Sequence, residues 1–90
     1  MTSNDLRKYR IFRDRLLELG EVEPQTIDDL FDNAIALKRL MGKEITPKRQ
    51  PTLQFLQNTL TSTCDRLGWL QVSFEDNRIA FFTEGDGFDF

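Results

Sequence analysis

The sequence contains no histidine and only one cysteine, Cys64. Without histidine the chain lacks the commonest general base and metal ligand, and one cysteine cannot form an internal disulfide. Cys64 lies on the apolar stripe of a predicted helix. A buried, unreactive thiol is therefore a better interpretation than a catalytic nucleophile. No glycine-rich phosphate-binding loop is present either. The sequence therefore predicts a protein that is not an enzyme and that uses no metal and no cofactor.

Long apolar runs are also absent. No stretch approaches the roughly 18 residues that a membrane-spanning helix needs, and the polar residues 1–5 do not resemble a signal peptide. Ninety residues, eight of them phenylalanine, are enough for one domain with a modest core. We expect a cytoplasmic protein without membrane contacts, with a single domain at residues 1–83 and an acidic, aromatic C-terminal tail at residues 84–90. The sequence leaves the oligomeric state open.

The net charge of −3 conceals blocks of alternating sign. The first predicted helix is basic, residues 18–32 are acidic, residues 38–49 are basic apart from Glu44, and the end of the chain is acidic. Two interpretations stay open. Such blocks either pair with each other and solvate the surface, or they form a dipolar surface that orients a charged partner.

The first predicted helix begins near Thr2 or Ser3. Thr2 and Asp5 have the spacing of a capping box, and Gly20 supplies the left-handed position that ends many helices. Between them apolar residues recur at intervals of three and four, which predicts one buried stripe. The residues of this stripe are Leu6, Tyr9, Phe12, Leu16 and Leu19.

The second and third predicted helices are bounded in the same way. Pro24 and Thr26 open the second helix, with Thr26 and Asp29 in capping-box spacing, and Gly42 ends it. The third helix starts after Pro51 with Thr52 as its N-cap and ends at Gly68. The second is predicted to be the central helix, because its apolar face is the widest. The residues predicted to be buried are Ile27, Leu30, Phe31, Ala34, Leu37 and Met41 in the second helix, and Leu53, Leu56, Leu60, Cys64 and Leu67 in the third.

Residues 69–82 predict a β-hairpin, because apolar and polar residues largely alternate around the two-residue turn of Asp76 and Asn77. With this turn Val72 lies opposite Phe81, and one face of the hairpin is wholly apolar and must cover the helices. The apolar face consists of Leu70, Val72, Phe74, Ile79 and Phe81. The opposite, solvent-facing side consists of Gln71, Ser73, Glu75, Arg78 and Ala80.

The solvent-facing side of the hairpin carries two further features. Glu75 and Arg78 are opposite each other and predict a cross-strand ion pair. Trp69 and Phe82 fall near the open end of the hairpin. They are either covered by the C-terminal tail or by the first helix, or they form a small aromatic patch for a protein partner.

The segment between the second and third helices, residues 43–50, contains Pro47 and is not helical. Residues 43–46 could add a short third strand to the hairpin, with Ile45 facing inward. The predicted fold class is α+β, with three helices followed by an antiparallel β-hairpin.

Residues 52–83 resemble the recognition helix and wing of a winged-helix domain. The pattern is a helix ending in Leu67-Gly68-Trp69-Leu70, a strand, a tight polar turn and a returning strand. In DNA-binding members of that family the recognition helix enters the major groove and the wing contacts phosphate. The resemblance implies a winged-helix-like fold. The exposed positions that it would turn toward DNA are Gln54, Gln57, Asn58, Thr61 and Ser62.

The end of the chain, residues 84–90, is acidic and carries Phe88 and Phe90. It resembles the C-terminal tips of bacterial and phage single-stranded-DNA-binding proteins, which dock replication and repair partners through a phenylalanine pocket with a basic rim. Because Gly85 and Gly87 loosen this segment, we expect both phenylalanines to be mobile in the free chain. The alternative is that they fold back over the aromatic residues at the open end of the hairpin.

Two functions follow from these features. The first is a small non-catalytic protein-binding module, an adaptor or inhibitor of the kind that phages encode, acting on nucleic-acid machinery. Its predicted contact residues are Trp69, Phe82, Asp86, Phe88, Asp89 and Phe90. The alternative is a winged-helix DNA-binding transcription regulator, with nucleic acid as the partner. Its predicted contact residues are Lys43, Lys48, Arg49, Gln54, Gln57 and Asn58.

Overall fold

The computed structural model describes residues 2–19 and 22–90. Three helices come first along the chain and a three-stranded antiparallel sheet follows, so the fold class is α+β, as predicted. The helices are α1 (Ser3–Glu18), α2 (Pro24–Met41) and α3 (Gln50–Leu67), and the strands are β1 (Gln71–Glu75), β2 (Arg78–Thr83) and β3 (Asp86–Asp89). Strand β2 lies in the centre of the sheet. Within the described ranges, none of the helices has the length and apolar character that crossing a bilayer requires.

Helix α1 begins at the predicted capping box. The Thr2 hydroxyl accepts a hydrogen bond from the Asp5 N–H at 3.1 Å, and the Asp5 carboxylate accepts one from the Thr2 N–H at 3.2 Å. These bonds lower the pKa of Asp5. The predicted end at Gly20 lies outside the described residues. The predicted stripe is wrong at its ends, Leu6 and Leu19, which are exposed because α1 packs against α2 and β3 but does not reach α3.

Pro24 opens α2, as predicted, but the predicted capping role of Thr26 and the predicted start of α3 are wrong. Helix α2 has Glu23 as its N-cap and begins at Pro24, so Thr26 lies in the first turn. Helix α3 has Arg49 as its N-cap, so Thr52 also lies inside the helix. In both helices a proline occupies one of the first two positions, where its missing N–H costs no intrahelical bond. Proline rather than threonine therefore marks where each helix begins.

Helix α2 is the central helix, as predicted, because it packs against α1, α3 and β2. Five of the six residues predicted on its inner face are buried, and Met41 is half-buried. The rest of the buried core comes from the other helices and from the sheet. These residues are Phe12 and Leu16 of α1, Leu60 and Cys64 of α3, and Leu70, Ile79, Phe81 and Phe88 in or next to the strands.

The hairpin formed by β1 and β2 has the predicted register, with Val72 opposite Phe81. Asp76 and Asn77 have φ angles of 50° and 63°, the left-handed values that a two-residue type I′ turn requires. Lys38 of α2 donates a hydrogen bond to the carbonyl of Asn77 and so fastens the turn to the helices. Of the predicted apolar face, Leu70, Ile79 and Phe81 are buried, and Val72 and Phe74 are half-buried.

The third strand of the sheet is not the predicted one. Residues 43–46 form no strand, and Ile45 is exposed. Instead β3, from the segment predicted to be a tail, pairs with β2 and places Phe88 opposite Phe81. Gly85, with a φ angle of 89°, provides the left-handed turn that returns the chain to the sheet.

The expectation that Phe88 and Phe90 are mobile in the free chain is wrong. Phe88 is 4% exposed and belongs to the core, while Phe90 is half-buried and stacks on Phe88 with a centroid distance of 5.4 Å. Their cover is not the aromatic pair at the open end of the hairpin either, because Phe88 packs against Tyr9, Phe12 and Phe31. The apolar area that these rings bury outweighs the flexibility of the neighbouring glycines.

Ion pairs join charge blocks of opposite sign in the part of the chain that the structure describes. The pairs between blocks are Arg13–Asp28 at 2.7 Å and Arg15–Asp86 at 2.9 Å, and a third pair joins Arg78 of β2 to Asp89 at 3.1 Å. The predicted pair of Glu75 and Arg78 is wrong, because β3 brings Asp89 next to Arg78 on the outer face of the sheet. Part of the alternation in charge is therefore used inside the fold.

Candidate protein-binding surface

The solvent-facing side of α3 carries Phe55, which is 67% exposed and the most exposed large apolar residue among those described. Residues 50–64 contain no charged side chain, although 30% of the whole sequence is charged. The centres of protein interfaces are depleted in charged residues and enriched in aromatic ones. An exposed phenylalanine within an uncharged helix therefore has the composition of a protein contact.

Helical spacing brings the exposed side chains of residues 52–62 of α3 onto one continuous surface, opposite Leu60 and Cys64, and the exposed, charged Asp65 and Arg66 border it at the C-terminal end of the helix. We call this surface the α3 face. It consists of Thr52, Gln54, Phe55, Asn58, Thr61 and Ser62.

The α3 face is less polar than its sequence suggests. The hydroxyl of Thr61 donates to the Gln57 carbonyl at 3.0 Å, and the hydroxyl of the neighbouring Thr59 donates to the Phe55 carbonyl at 2.8 Å. Both hydroxyls therefore bond to the backbone of their own helix, as threonine in a helix commonly does. A partner would therefore find the Phe55 ring, the side-chain amides of Gln54 and Asn58, and the exposed hydroxyls of Thr52 and Ser62.

Cys64 lies on the buried side of α3, as predicted. It is buried in the core, and this burial, followed by the negative charge of Asp65, raises the pKa of the thiol to about 12. A thiol with so high a pKa is protonated at neutral pH and is a poor nucleophile.

The predicted aromatic patch, Trp69 and Phe82, lies at the open end of the sheet. Phe82 is 38% exposed and Trp69 is half-buried. Both predicted covers border the pair but leave it partly exposed: Gly87 of the C-terminal segment lies opposite Phe82 without a side chain, and Leu19 at the end of the first helix borders the depression beside Trp69. The two aromatic residues are brought together, and a role in partner binding stays a prediction.

The other residues predicted to bind a partner, those of the chain end, make contacts inside the protein. Asp86 and Asp89 form ion pairs with arginines of α1 and β2. Phe88 is in the core and Phe90 covers it. Phe88 is therefore not accessible to a partner, whereas partner binding by Asp86, Asp89 and Phe90, which stay partly exposed, remains a prediction.

The residues predicted to contact nucleic acid fall into two groups. Lys43, Lys48 and Arg49 are exposed in the loop of residues 43–49, which we call the basic loop, and Arg49 donates to the Glu44 carbonyl at 2.7 Å. On α3, Gln54 and Asn58 are exposed and Gln57 is half-buried. The basic loop leads directly into α3, so it lies at the helix end where the α3 face begins.

The sequence pattern did not identify Phe55 as a candidate contact residue. The available signal was its position, because it falls outside the apolar stripe of Leu53, Leu56 and Leu60 and lies within the longest uncharged stretch of the chain. Function is inferred from these surfaces alone, because comparison with known protein families, with curated proteins and with solved structures finds no match to this chain.

Proposed function

We propose that this chain is a small non-catalytic protein-binding module, an adaptor or an inhibitor, and that the α3 face is its main contact surface. The observation that carries the proposal is the exposure of Phe55 in the middle of an uncharged helix surface. Burying a phenylalanine side chain in a partner gains about 1.5–3 kcal/mol. Aromatic anchors of this kind dominate the binding energy of protein interfaces.

The chemistry of the α3 face defines the partner surface that fits it. The Phe55 ring fits an apolar pocket of a partner. The side-chain amides of Gln54 and Asn58 can donate and accept hydrogen bonds at the border of that pocket. Residues 52–62 offer no charge to neutralise a charged group, Asp65 and Arg66 lie at the border, and an unpaired charge buried in an interface is costly. The partner surface is therefore an apolar groove with few charged residues.

A winged-helix-like arrangement of the chain is part of this proposal. It is supported by the left-handed Gly68 that ends α3, by the hairpin of β1 and β2 that follows, and by the tight turn at its tip. In this arrangement the helix that reads DNA in other winged-helix domains contacts a protein. The lack of lysine and arginine among residues 52–62 of the α3 face and the acidic Glu75 and Asp76 at the hairpin tip disfavour contact with phosphate.

The proposal is tested with three versions of the chain used as bait in a lysate of the source cells: the wild type, Phe55→Ala and Phe82→Ala. We expect one protein to bind the wild type and the Phe82 variant and to be lost with Phe55→Ala. With the purified partner, Phe55→Ala should weaken binding by about 30-fold, equivalent to the roughly 2 kcal/mol of an aromatic anchor. The thermal stability of the Phe55 variant should stay unchanged, because its side chain has few neighbours to lose.

DNA binding is the outcome that would replace this proposal. We expect no duplex affinity tighter than about 10⁻⁵ M at physiological salt, which is the non-specific range. If the chain instead bound a DNA duplex with nanomolar affinity, and if this affinity fell steeply with salt, its function would be that of a transcription regulator. In that case charge reversal at Lys43, Lys48 and Arg49 would abolish binding, and Phe55→Ala would not.

A further inference from the structure

Strand β3 is an edge strand, and a groove runs between it and α1. The helix wall of this groove contains Ile11, which is 46% exposed although it lies in the middle of α1. We call it the edge groove. It is lined by Lys8, Ile11, Phe12 and Arg15 of α1 and by Asp86, Gly87, Phe88 and Asp89 of β3.

The backbone of β3 offers hydrogen-bonding groups to this groove. Phe90 and Ile79 exchange two backbone bonds, at 3.1 and 3.0 Å. Such pairs recur at every second residue of an antiparallel ladder, so the backbone groups of Gly87 and Asp89 face away from β2. The Gly87 N–H bonds to the carboxylate of Asp86 at 2.9 Å. Among the described residues, the Gly87 carbonyl and the N–H and carbonyl of Asp89 have no such partner.

The charge of the edge groove is positive on its helix wall. Lys8 forms no ion pair within the described part of the chain, and Arg15 is largely exposed although it reaches Asp86. The carboxylates on the strand side, Asp86 and Asp89, are each held by an arginine. Because Arg15 and Arg78 balance these two carboxylates, the positive charge of Lys8 remains, and the groove complements negative charge.

The spacing of the helix residues matches an extended chain. Arg15 pairs with Asp86 at one end of β3, and Phe12 stacks against Phe88 further along, so α1 runs beside the strand. Lys8, Ile11 and Arg15 follow one another at about one helical turn, roughly 5.4 Å. Alternate side chains of an extended peptide are about 6.6 Å apart, which is close to this repeat.

We propose that the edge groove binds an extended acidic peptide segment of a partner protein, which adds to β3 as a fourth strand. Its backbone pairs with Gly87 and Asp89. Its side chains on the α1 side follow the order acidic, apolar, acidic at alternate positions and meet Lys8, Ile11 and Arg15. This is recognition by strand addition, in which main-chain bonds provide affinity and alternate side chains provide specificity.

The edge groove is separate from the α3 face. Helix α3 packs against β1 and α1 packs against β3, at the two opposite edges of the sheet. A chain with both surfaces can hold two partners at once, as an adaptor does. The inference does not depend on the proposed role of Phe55.

The probe is a set of free peptides selected from a display library of random ten-residue sequences against the full chain. We expect the selected sequences to share acidic residues on both sides of an apolar one, at alternate positions. Binding should weaken at least tenfold in Lys8→Glu and should not change in Lys48→Glu, a control in the basic loop. Ile11→Ala should also weaken binding, whereas Leu6→Ala, which removes an exposed leucine elsewhere on α1, should not.

Two substitutions at Asp89 test the strand pairing itself. Asp89→Pro removes the outward N–H, which β2 does not use, and proline is tolerated at such edge positions. Asp89→Ala removes the same carboxylate and keeps the N–H. The proline variant should bind about fivefold more weakly than the alanine variant, which is the net value of about one hydrogen bond. Amide exchange at Asp89 in the wild type should slow when the peptide is bound.

Several results would overturn the inference. They are a library without binders, selected peptides without acidic residues, or equal affinities of the proline and alanine variants. Salt-sensitive binding of an oligonucleotide that depends on Lys8 but not on the Asp89 N–H would assign the groove to phosphate. If Asp89→Pro does not fold, methylating in turn each backbone nitrogen of the selected peptide tests the same hydrogen bonds, and no effect on affinity at any position would reject strand addition. Phe55→Ala should leave peptide affinity unchanged, which separates this test from that of the α3 face.

Discussion

Phe88 of β3 lies directly opposite Phe81 of β2, and the two rings share one neighbour, Phe31 of α2. The ring centroid of Phe31 is 5.9 Å from that of Phe88 and 4.9 Å from that of Phe81. Phe88 also stacks on Phe12 of α1 at 6.1 Å. The last strand of the chain therefore holds the first helix against the core.

Substitution of Phe88 should destabilise the whole domain. Phe88→Ala removes a buried ring with neighbours on two helices and a strand, and such a change costs about 3–5 kcal/mol. The matched control is Phe82→Ala on the outer face of the sheet, which should cost less than about 1.5 kcal/mol because Phe82 is partly exposed. Urea unfolding of the three proteins measures both effects. Equal midpoints for Phe88→Ala and the wild type would contradict the place of Phe88 in the core.

The elements with strong local signals were predicted from the sequence. The register of the hairpin follows from one turn, because moving the pairing by one residue would place Phe81 in solvent. The inner face of α2 follows from its helical period in the same way. Strand β3 has no such signal: its four residues include two aspartates and a glycine. It becomes a strand because Phe88 finds Phe12 and Phe31, and these contacts between distant parts of the chain are not visible in local sequence.

The candidate surfaces were predicted less completely than the fold. Trp69 and Phe82 were expected to lie together on the outer face of the sheet and do so. The edge groove could not be predicted, because it requires β3 to pair with β2 and α1 to lie beside it. Phe55 was overlooked because helical periodicity identifies buried residues and assigns no role to an apolar residue outside the stripe.

The ion pair between α1 and α2 should make the free energy of unfolding decrease as the pH becomes acidic. Arg13 donates to both carboxylate oxygens of Asp28, from Nε at 2.7 Å and from Nη2 at 3.1 Å, and these bonds hold the pKa of Asp28 below its ordinary value of 3.8. Because the folded state binds this proton less readily than the unfolded state, the contribution to stability is present above pH 3.8 and is lost as the pH falls through the lower, folded pKa.

Asp28→Asn should accordingly lower the melting temperature at pH 7, and the difference from the wild type should shrink below the ordinary pKa of the carboxyl. Asp32→Asn is the matched control, because Asp32 is exposed on the same helix and has no ion pair in the described part of the chain. Thermal melts between pH 7 and pH 2.5 compare the three proteins. A difference between Asp28→Asn and the wild type that persists unchanged at the acidic end would show that the ion pair is not its cause.

Replacing the glycines that end α2 and α3 by alanine should change the stability of the fold in opposite directions. Gly68 has a φ angle of 79°, and no atom lies within 4 Å of the site of an added Cβ, so the penalty of Gly68→Ala is the left-handed backbone alone, about 1–2 kcal/mol. Gly42 has a φ angle of −78°, and its added Cβ would meet the Arg39 carbonyl at 3.6 Å, an ordinary contact. Gly42→Ala should therefore stabilise by about 0.4–1 kcal/mol, through the unfolded chain. Equal effects of the two substitutions in chemical denaturation would contradict the geometry of these helix ends.

Alanine and glycine at position 77, in the turn at the hairpin tip, should have different effects on the stability of the fold. Its φ angle of 63° suits glycine and is tolerated by asparagine, whose side chain can bond locally, but an alanine Cβ is strained there. Asn77→Ala should cost about 1 kcal/mol, and Asn77→Gly should be neutral or stabilising by a few tenths, because glycine is preferred at this position of a type I′ turn. Both substitutions keep the backbone carbonyl that accepts from Lys38, so that contact is the same in the two proteins. Urea midpoints followed by the fluorescence of Trp69 measure the difference, and a more stable alanine variant would mean that the hairpin turns with a different geometry.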